Sequence, residues 1–182
     1  MTSRYEGELK KVDTARIYAC HGFDCYHKTR VDLGAADAGR FAEIMAAGAS
    51  APEAERAAIS KADQYFEDRV GQTIGVRDQP KSSFGKSGQK GQMDCIDEST
   101  NTRSLLLYLA KRGLLKYHTV EKNVSRGFFF DGRYPHSTAV ITEKGGGKWA
   151  VDSWYAPMGG APDIIPLSQW LPRGVLSSGA LD

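Results

Sequence analysis

Long apolar runs are missing from this chain. None approaches the roughly 20 residues of a membrane-spanning helix, which argues against membrane insertion. A surplus of charge is missing too: 24 basic residues stand against 22 acidic ones, a net of +2. That balance gives no general reason to expect nucleic acid or an anionic membrane as partner. Cysteine and histidine are scarce, at three and four in 182 residues, so any site chemistry that needs them has few candidates. A phosphate loop is excluded: Gly85-Lys86-Ser87 lacks the earlier glycine, Pro80 standing in its place, and no apolar strand leads into it. The polar start, Met1 to Ala15, is unlike a signal peptide. Taken literally it describes an unexported protein, although a mature form with an added Met1 would read the same.

What is present fits one globular domain over residues 1–182, with 41% hydrophobic residues supplying the core. Residues 1–34 read as a β-hairpin, with β-like stretches Ala15–Ala19 and Tyr26–Leu33. Residues 35–71 read as helices. The first spans Asp37 to Ala47 and stops at Gly48. The second starts at Ser50-Ala51-Pro52-Glu53, with Ser50 as cap and Glu53 closing a capping box, and runs to about Val70. No chemistry is read in this alanine-rich helix. Residues 77–90 form a basic, Gly/Ser-rich surface loop, expected to be mobile. Residues 91–155 form the chemical core and 156–182 a C-terminal extension, in which Trp170 packs down before a frayed tail. Phe128-Phe129-Phe130 reads as core strand, and His118 as a satisfied surface imidazole.

Two of the cysteines, Cys20 and Cys25, flank a short hairpin loop, where the Cα separation of a disulfide is within reach. Pairing them leaves Cys95 as the odd thiol and points to an oxidising compartment, periplasmic or secreted; unpaired, they point to cytoplasm. Cys20, His21, Cys25 and His27 also invite a zinc or redox reading. Their spacing is poor for zinc, and the adjacent Cys20-His21 would face opposite sides of a strand.

Cys95 opens a helix that continues through Leu105, Leu106 and Leu109 to Gly113, with Asp94 placed to cap it. Helix amides favour a thiolate there, by ~0.3–1 kcal/mol. Asp94, Asp97 and Glu98 oppose it, so ionisation requires an imidazolium. His136 opens the strand-like run His136–Ile141, and Asp152 closes Trp149–Asp152. The turn Glu143–Lys148 lies between them, and the midpoint of 136 and 152 falls at 144. The two residues are therefore expected to be neighbours across an antiparallel pair. Nucleophile, base and orienting carboxylate are then Cys95, His136 and Asp152. Gln92 is the candidate second oxyanion donor beside the Cys95 amide. Trp154 is placed to shield the His–Asp contact.

Asp94-Cys95 at a helix start, His136 at a strand start and Trp149-Ala150-Val151-Asp152 at a strand end resemble the transglutaminase-like cysteine peptidase superfamily. Within it the likeness is to bacterial transglutaminase-like cysteine proteinases, over roughly residues 90–155. The resemblance implies an α+β fold with a papain/transglutaminase-like core, the nucleophile-bearing helix packed on an antiparallel sheet. It implies a thiol protease or related hydrolase that cuts peptide or isopeptide bonds in a peptide or protein substrate, through a thioester. Ile96 stands where transglutaminases commonly carry an aromatic residue, and Ser137-Thr138 follow the histidine instead of aromatics, so hydrolysis is favoured over transamidation. The acidic cluster Asp94, Asp97, Glu98 is similar to that of calcium-assisted members. No cofactor is required, and calcium is not matched to specific positions. The alternative is a catalytically silent module of the same fold that serves binding or assembly.

Overall fold

A computed structural model describes residues 13–81, 84–127 and 135–173. The expected Phe128–Phe130 strand and the tail after 173 lie outside the described residues. The architecture is mixed α+β, with helices packed against antiparallel sheets.

The chain opens with β1 (Arg16–His21) and β2 (His27–Asp32), an antiparallel ribbon in which Cys20 pairs with Lys28 and His21 with His27. Cys20 and Cys25 are joined by a disulfide, with Cα atoms 4.6 Å apart. Helix α1 (Ala35–Ala46) follows, then α2 (Pro52–Ile74). Two expectations for α2 are corrected. Its N-cap is Ala51, with no side-chain cap, so Ser50 and Glu53 form no capping box. It also continues past Val70 to Ile74, where Gly75 adopts φ +79° and ends it. Gly71 does not break the helix, because packing overrides its weak helix propensity: a Cβ there would meet Met158 Sδ at 2.8 Å.

Helix α3 (Cys95–Lys111) lies between the ribbon and the main sheet. That sheet comprises β3 (His118–Val120), β4 (Val124–Arg126), β5 (His136–Glu143), β6 (Lys148–Asp152) and β7 (Asp163–Pro166). β5 is flanked by β6 on one edge and by β3 and β4, end to end, on the other; β7 completes the β6 side. A short closing helix, α4 (Leu167–Trp170), buries Trp170 fully.

The central helix is enclosed almost all round. Leu105, Leu106, Tyr108 and Leu109 are fully buried, each worth about 1.5–3 kcal/mol of hydrophobic stabilisation. Its first turns are buried although polar, from Asp97 to Ser104. Burial of polar groups is tolerable when they are hydrogen-bonded. Asn101 receives Cys20 N at 2.7 Å and donates to Cys20 O at 2.8 Å; Ser99 donates to Ser137 Oγ at 3.2 Å; Thr102 and Ser153 share a 3.3 Å bond. These bonds hold the helix N-terminus against the ends of β1, β5 and β6, where the chemistry-bearing residues lie.

His118 is not on the surface. It is buried, with Nδ1 2.8 Å from Glu55 Oε1, and Glu55 also receives the backbone amides of Lys116, Tyr117 and His118. Glu55 and Arg56 of α2 thus pin β3, an arrangement that period-2 alternation alone does not reveal.

Candidate active site

The site assembles where α3 begins. Asp94 caps the helix by accepting Ile96 N at 3.1 Å and Asp97 N at 2.9 Å. Asp97 completes a capping box back to Asp94 N, at 3.3 Å. Asp97 also accepts Phe23 N at 2.8 Å and Cys25 N at 2.6 Å, while Asp24 N donates to Asp94 at 3.1 Å. Phe23, Asp24 and Cys25 all have positive φ, a conformation that needs outside support in residues with a Cβ. The disulfide and the two carboxylates supply that support. The disulfide loop is therefore part of the scaffold around the thiol.

The segment before the helix is tied to the same loop. Gly22 N donates to Gln92 O at 2.6 Å, and Gly88 N to Gly22 O at 2.9 Å. Gly91, at φ +82°, donates to His21 Nδ1 at 3.1 Å, and a Cβ there would run into Val76 at 2.6 Å. In the 77–90 region, Lys81 N donates to Trp154 O and Asp78 is buried. Gln92 is buried, and its Oε1 makes no hydrogen bond among the described residues. Burial, and next His27, push the His21 imidazole down to about 4, so it is neutral; it is held between Gly91 N and Thr29 Oγ1. With the cysteines paired and His21 so occupied, this segment has lost the donors that the zinc reading required.

His136 and Asp152 meet. His136 Nε2 lies 2.7 Å from Asp152 Oδ2, and both side chains are buried. The β5–β6 register pairs Ala139 with Val151 and Thr142 with Lys148, so Asp152 continues opposite Thr138 and His136 is its diagonal neighbour on the same face. With Nε2 donating to the carboxylate, the lone pair falls on Nδ1. That Nδ1 is buried and makes no hydrogen bond among the described residues. The ring is enclosed by Trp154, Tyr155 and Trp170, with centroids at 4.7, 5.5 and 5.6 Å.

Cys95 is half-buried, and the backbone amide of Ser137, the residue after His136, donates toward its sulfur. The structure thus brings the thiol to the start of the His136 strand without closing a thiol–imidazole hydrogen bond. Burial, and then Asp94, push the thiol up to about 12; Asp152 and Glu98 act in the same direction, and the Ser137 amide against it. The acidic neighbours were legible in the sequence. Burial, the larger cause, was not.

Sequence reasoning missed two groups. One is the clamp on Asp152: Trp170 Nε1 donates to Oδ2 at 2.7 Å, and Arg126 lies against the Trp170 ring at 4.1 Å. Arg126 also bonds Trp170 O and, at 3.0 Å, the Tyr155 hydroxyl. The other is a set of acids behind the site: buried Asp63 and half-buried Glu67 on α2 and buried Asp78, beside Glu98, which the sequence had marked only as a neighbour of the thiol. Asp63 and Glu67, one turn apart on α2, carried no pattern that separated them from solvated helix residues.

No protein-family model, curated protein or solved structure matches this chain.

Proposed function

We propose that the chain is a cysteine-dependent hydrolase of peptide or isopeptide amide bonds, with a papain/transglutaminase-like arrangement of Cys95, His136 and Asp152. The observation that carries this reading is the 2.7 Å His136–Asp152 bond, which leaves Nδ1 unpartnered at the strand end where the Ser137 amide meets the Cys95 sulfur. In the reaction, His136 Nδ1 takes the thiol proton and the thiolate attacks the carbonyl carbon. Catalytic hydrogen bonds are commonly longer in the free enzyme than with substrate bound. The tetrahedral oxyanion is received by the Cys95 amide, which the Asp94 cap does not use, and by the Gln92 side chain. Collapse breaks the C–N bond, and His136 returns its proton to the departing amine. Water, deprotonated by His136, then cleaves the thioester. Asp152 holds the ring in the required tautomer and balances its charge. The Cys20–Cys25 disulfide supports a periplasmic or secreted setting for a bacterial protein of this kind.

A second reading, a silent binding or assembly module, is favoured by the surroundings of Cys95: burial and then Asp94 push its thiol upward, against ionisation. Limiting iodoacetamide at about pH 6, followed by peptide mapping, separates the two. Fast labelling of Cys95 in the unreduced protein, lost in His136→Ala, is the expected result. Slow labelling that the mutation leaves unchanged selects the silent module.

A further inference from the structure

The chain between α2 and the Cys95 helix is tied to both sides of the candidate site. Lys81 N donates to Trp154 O at 3.0 Å, beside the imidazole, and Gly88 N donates to Gly22 O at 2.9 Å, in the disulfide loop. From Gln79 to Met93 the sequence carries Lys81, Lys86 and Lys90 and not one acid. Arg77, just before, is spent on Asp68 at 2.6 Å. Lys86 acts electrostatically on the buried Asp78 carboxyl, and Lys90 on His21. Lys81 is different. It is exposed, forms no ion pair among the described residues, and holds its Nζ 6.0 Å from the centre of the Tyr155 ring. That ring lies 5.5 Å from the His136 imidazole. Lys81 has φ +59°, unfavourable for a residue with a Cβ, and the bond to Trp154 O fixes it there.

We propose that this loop is the recognition rim for an acidic peptide, and that Lys81 binds the Asp or Glu side chain nearest the bond to be cut. The ammonium lies no farther from the imidazole than those two ring distances laid end to end. An extended peptide advances ~3.3–3.6 Å per residue, so Lys81 faces a side chain at most about three residues from the reacting carbonyl. A cation resting on a ring in water is held weakly and exchanges that contact for a carboxylate. Lys86 and Lys90 continue the same sign along the rim, so a longer acidic stretch meets several cations and is steered to the site. The acids of the region do not cancel this. Asp78 is buried, and Asp94 spends its oxygens on the amides of Ile96, Asp97 and Asp24. Exposed Asp24 stands on the thiol side, which sets the direction: the acidic part of the peptide belongs on the Tyr155 side. Nucleic acid fits less well, because the half-buried Tyr155 ring is flanked by Trp154 and Lys81 and offers no open face for base stacking. The proposal rests on the hydrolase reading only for the fate of the bound peptide.

Binding is read by fluorescence anisotropy with full-length Cys95→Ala, which holds a peptide without cutting it. The probes are labelled peptides of equal length, one rich in glutamate and one with glutamine in the same places. The glutamate peptide is expected to bind about tenfold more tightly, with a preference that shrinks as salt is raised. Adding Lys81→Glu should weaken the glutamate peptide about tenfold and leave the glutamine peptide unchanged. Lys148→Glu, an exposed lysine at the far end of β6 from Asp152, should change neither. Equal affinity for the two peptides overturns the proposal, as does a preference that Lys81→Glu leaves intact. A single-stranded oligonucleotide of matched charge that binds more tightly than the glutamate peptide would assign the rim to nucleic acid and overturn it as well. Cleavage is then followed with Cys95 in place. A glutamate peptide bound through Lys81 but never cut fails the hydrolase reading and leaves the rim standing. Cleavage indifferent to the glutamates fails the rim alone.

Discussion

The indole N–H of Trp170 reaches Asp152 Oδ2 at 2.7 Å, the same carboxylate oxygen that meets His136. Two ring nitrogens therefore share one buried oxygen, while the other oxygen, among the described residues, has a long 3.4 Å contact with Trp154 N. The consequence is rotational: Asp152 cannot turn away from His136 without breaking the indole bond. Arg126 in turn fixes Trp170 by stacking on it and bonding its carbonyl. The last described helix thus acts on the geometry of residues far earlier in the chain.

Trp170→Phe keeps the ring and deletes the N–H. Hydrogen bonds to charged groups are worth about 1.5–3 kcal/mol, so a loss of stability in that range is expected, measured by urea unfolding. Because the orienting contact is removed, the Cys95 alkylation rate at pH 6 should fall about tenfold, and its pH profile should shift toward the alkaline profile of an unassisted thiol. An unchanged profile with only a stability loss would make Trp170 a packing residue.

Gln92 offers a sharper test of the oxyanion assignment. Gln92→Ala should lower turnover of an amide substrate by ~10²–10³. It should leave iodoacetamide labelling of Cys95 within about twofold, since alkylation at carbon develops no oxyanion. Equal losses in both assays would indicate that Gln92 supports the loop instead, through the Gly22–Gln92 backbone bond.

The disulfide constrains a very short loop, and loops of this size stabilise by about 2 kcal/mol on chain-entropy grounds. Its reduction should also release Phe23 and Cys25 from Asp97, so the effect should reach the thiol site. The double variant Cys20→Ser/Cys25→Ser is expected to unfold at lower urea concentration and to label more slowly at Cys95. Full labelling speed in a destabilised variant would separate the loop from the site.

Parts of this arrangement were legible in the sequence because they rest on local rules. Asp94 before Cys95 announces a helix start, and Gly145-Gly146-Gly147 announces a turn that brings His136 near Asp152. The observed pairing centres one residue beyond the expected midpoint of 144, which makes the two diagonal neighbours and still leaves them in contact. What stayed hidden depends on packing between distant segments. Glu55 reaching across to His118, Trp170 returning to Asp152, and Asp63 and Glu67 turning inward are all decided by which helix face meets which sheet. Periodicity does not encode that choice when the buried residues are polar.

Those inward-facing acids make stability depend on pH. Burial is the first cause in each case and pushes Asp63 up to about 7, Asp78 to about 6 and Asp97 to about 8, all from 3.8. The unfolded chain releases these protons near pH 4, whereas the folded chain retains them until pH 6–8. Between those limits the native state binds more protons, so this contribution to stability falls as pH rises from about 4 through 8 and is level below and above. Asp63→Asn removes one of these groups without removing its shape. Urea unfolding should show the variant equal to wild type near pH 4 and more stable by roughly 1–3 kcal/mol at pH 8. Stability curves that run parallel from pH 4 to 8 would mean that Asp63 is ionised in the folded chain throughout.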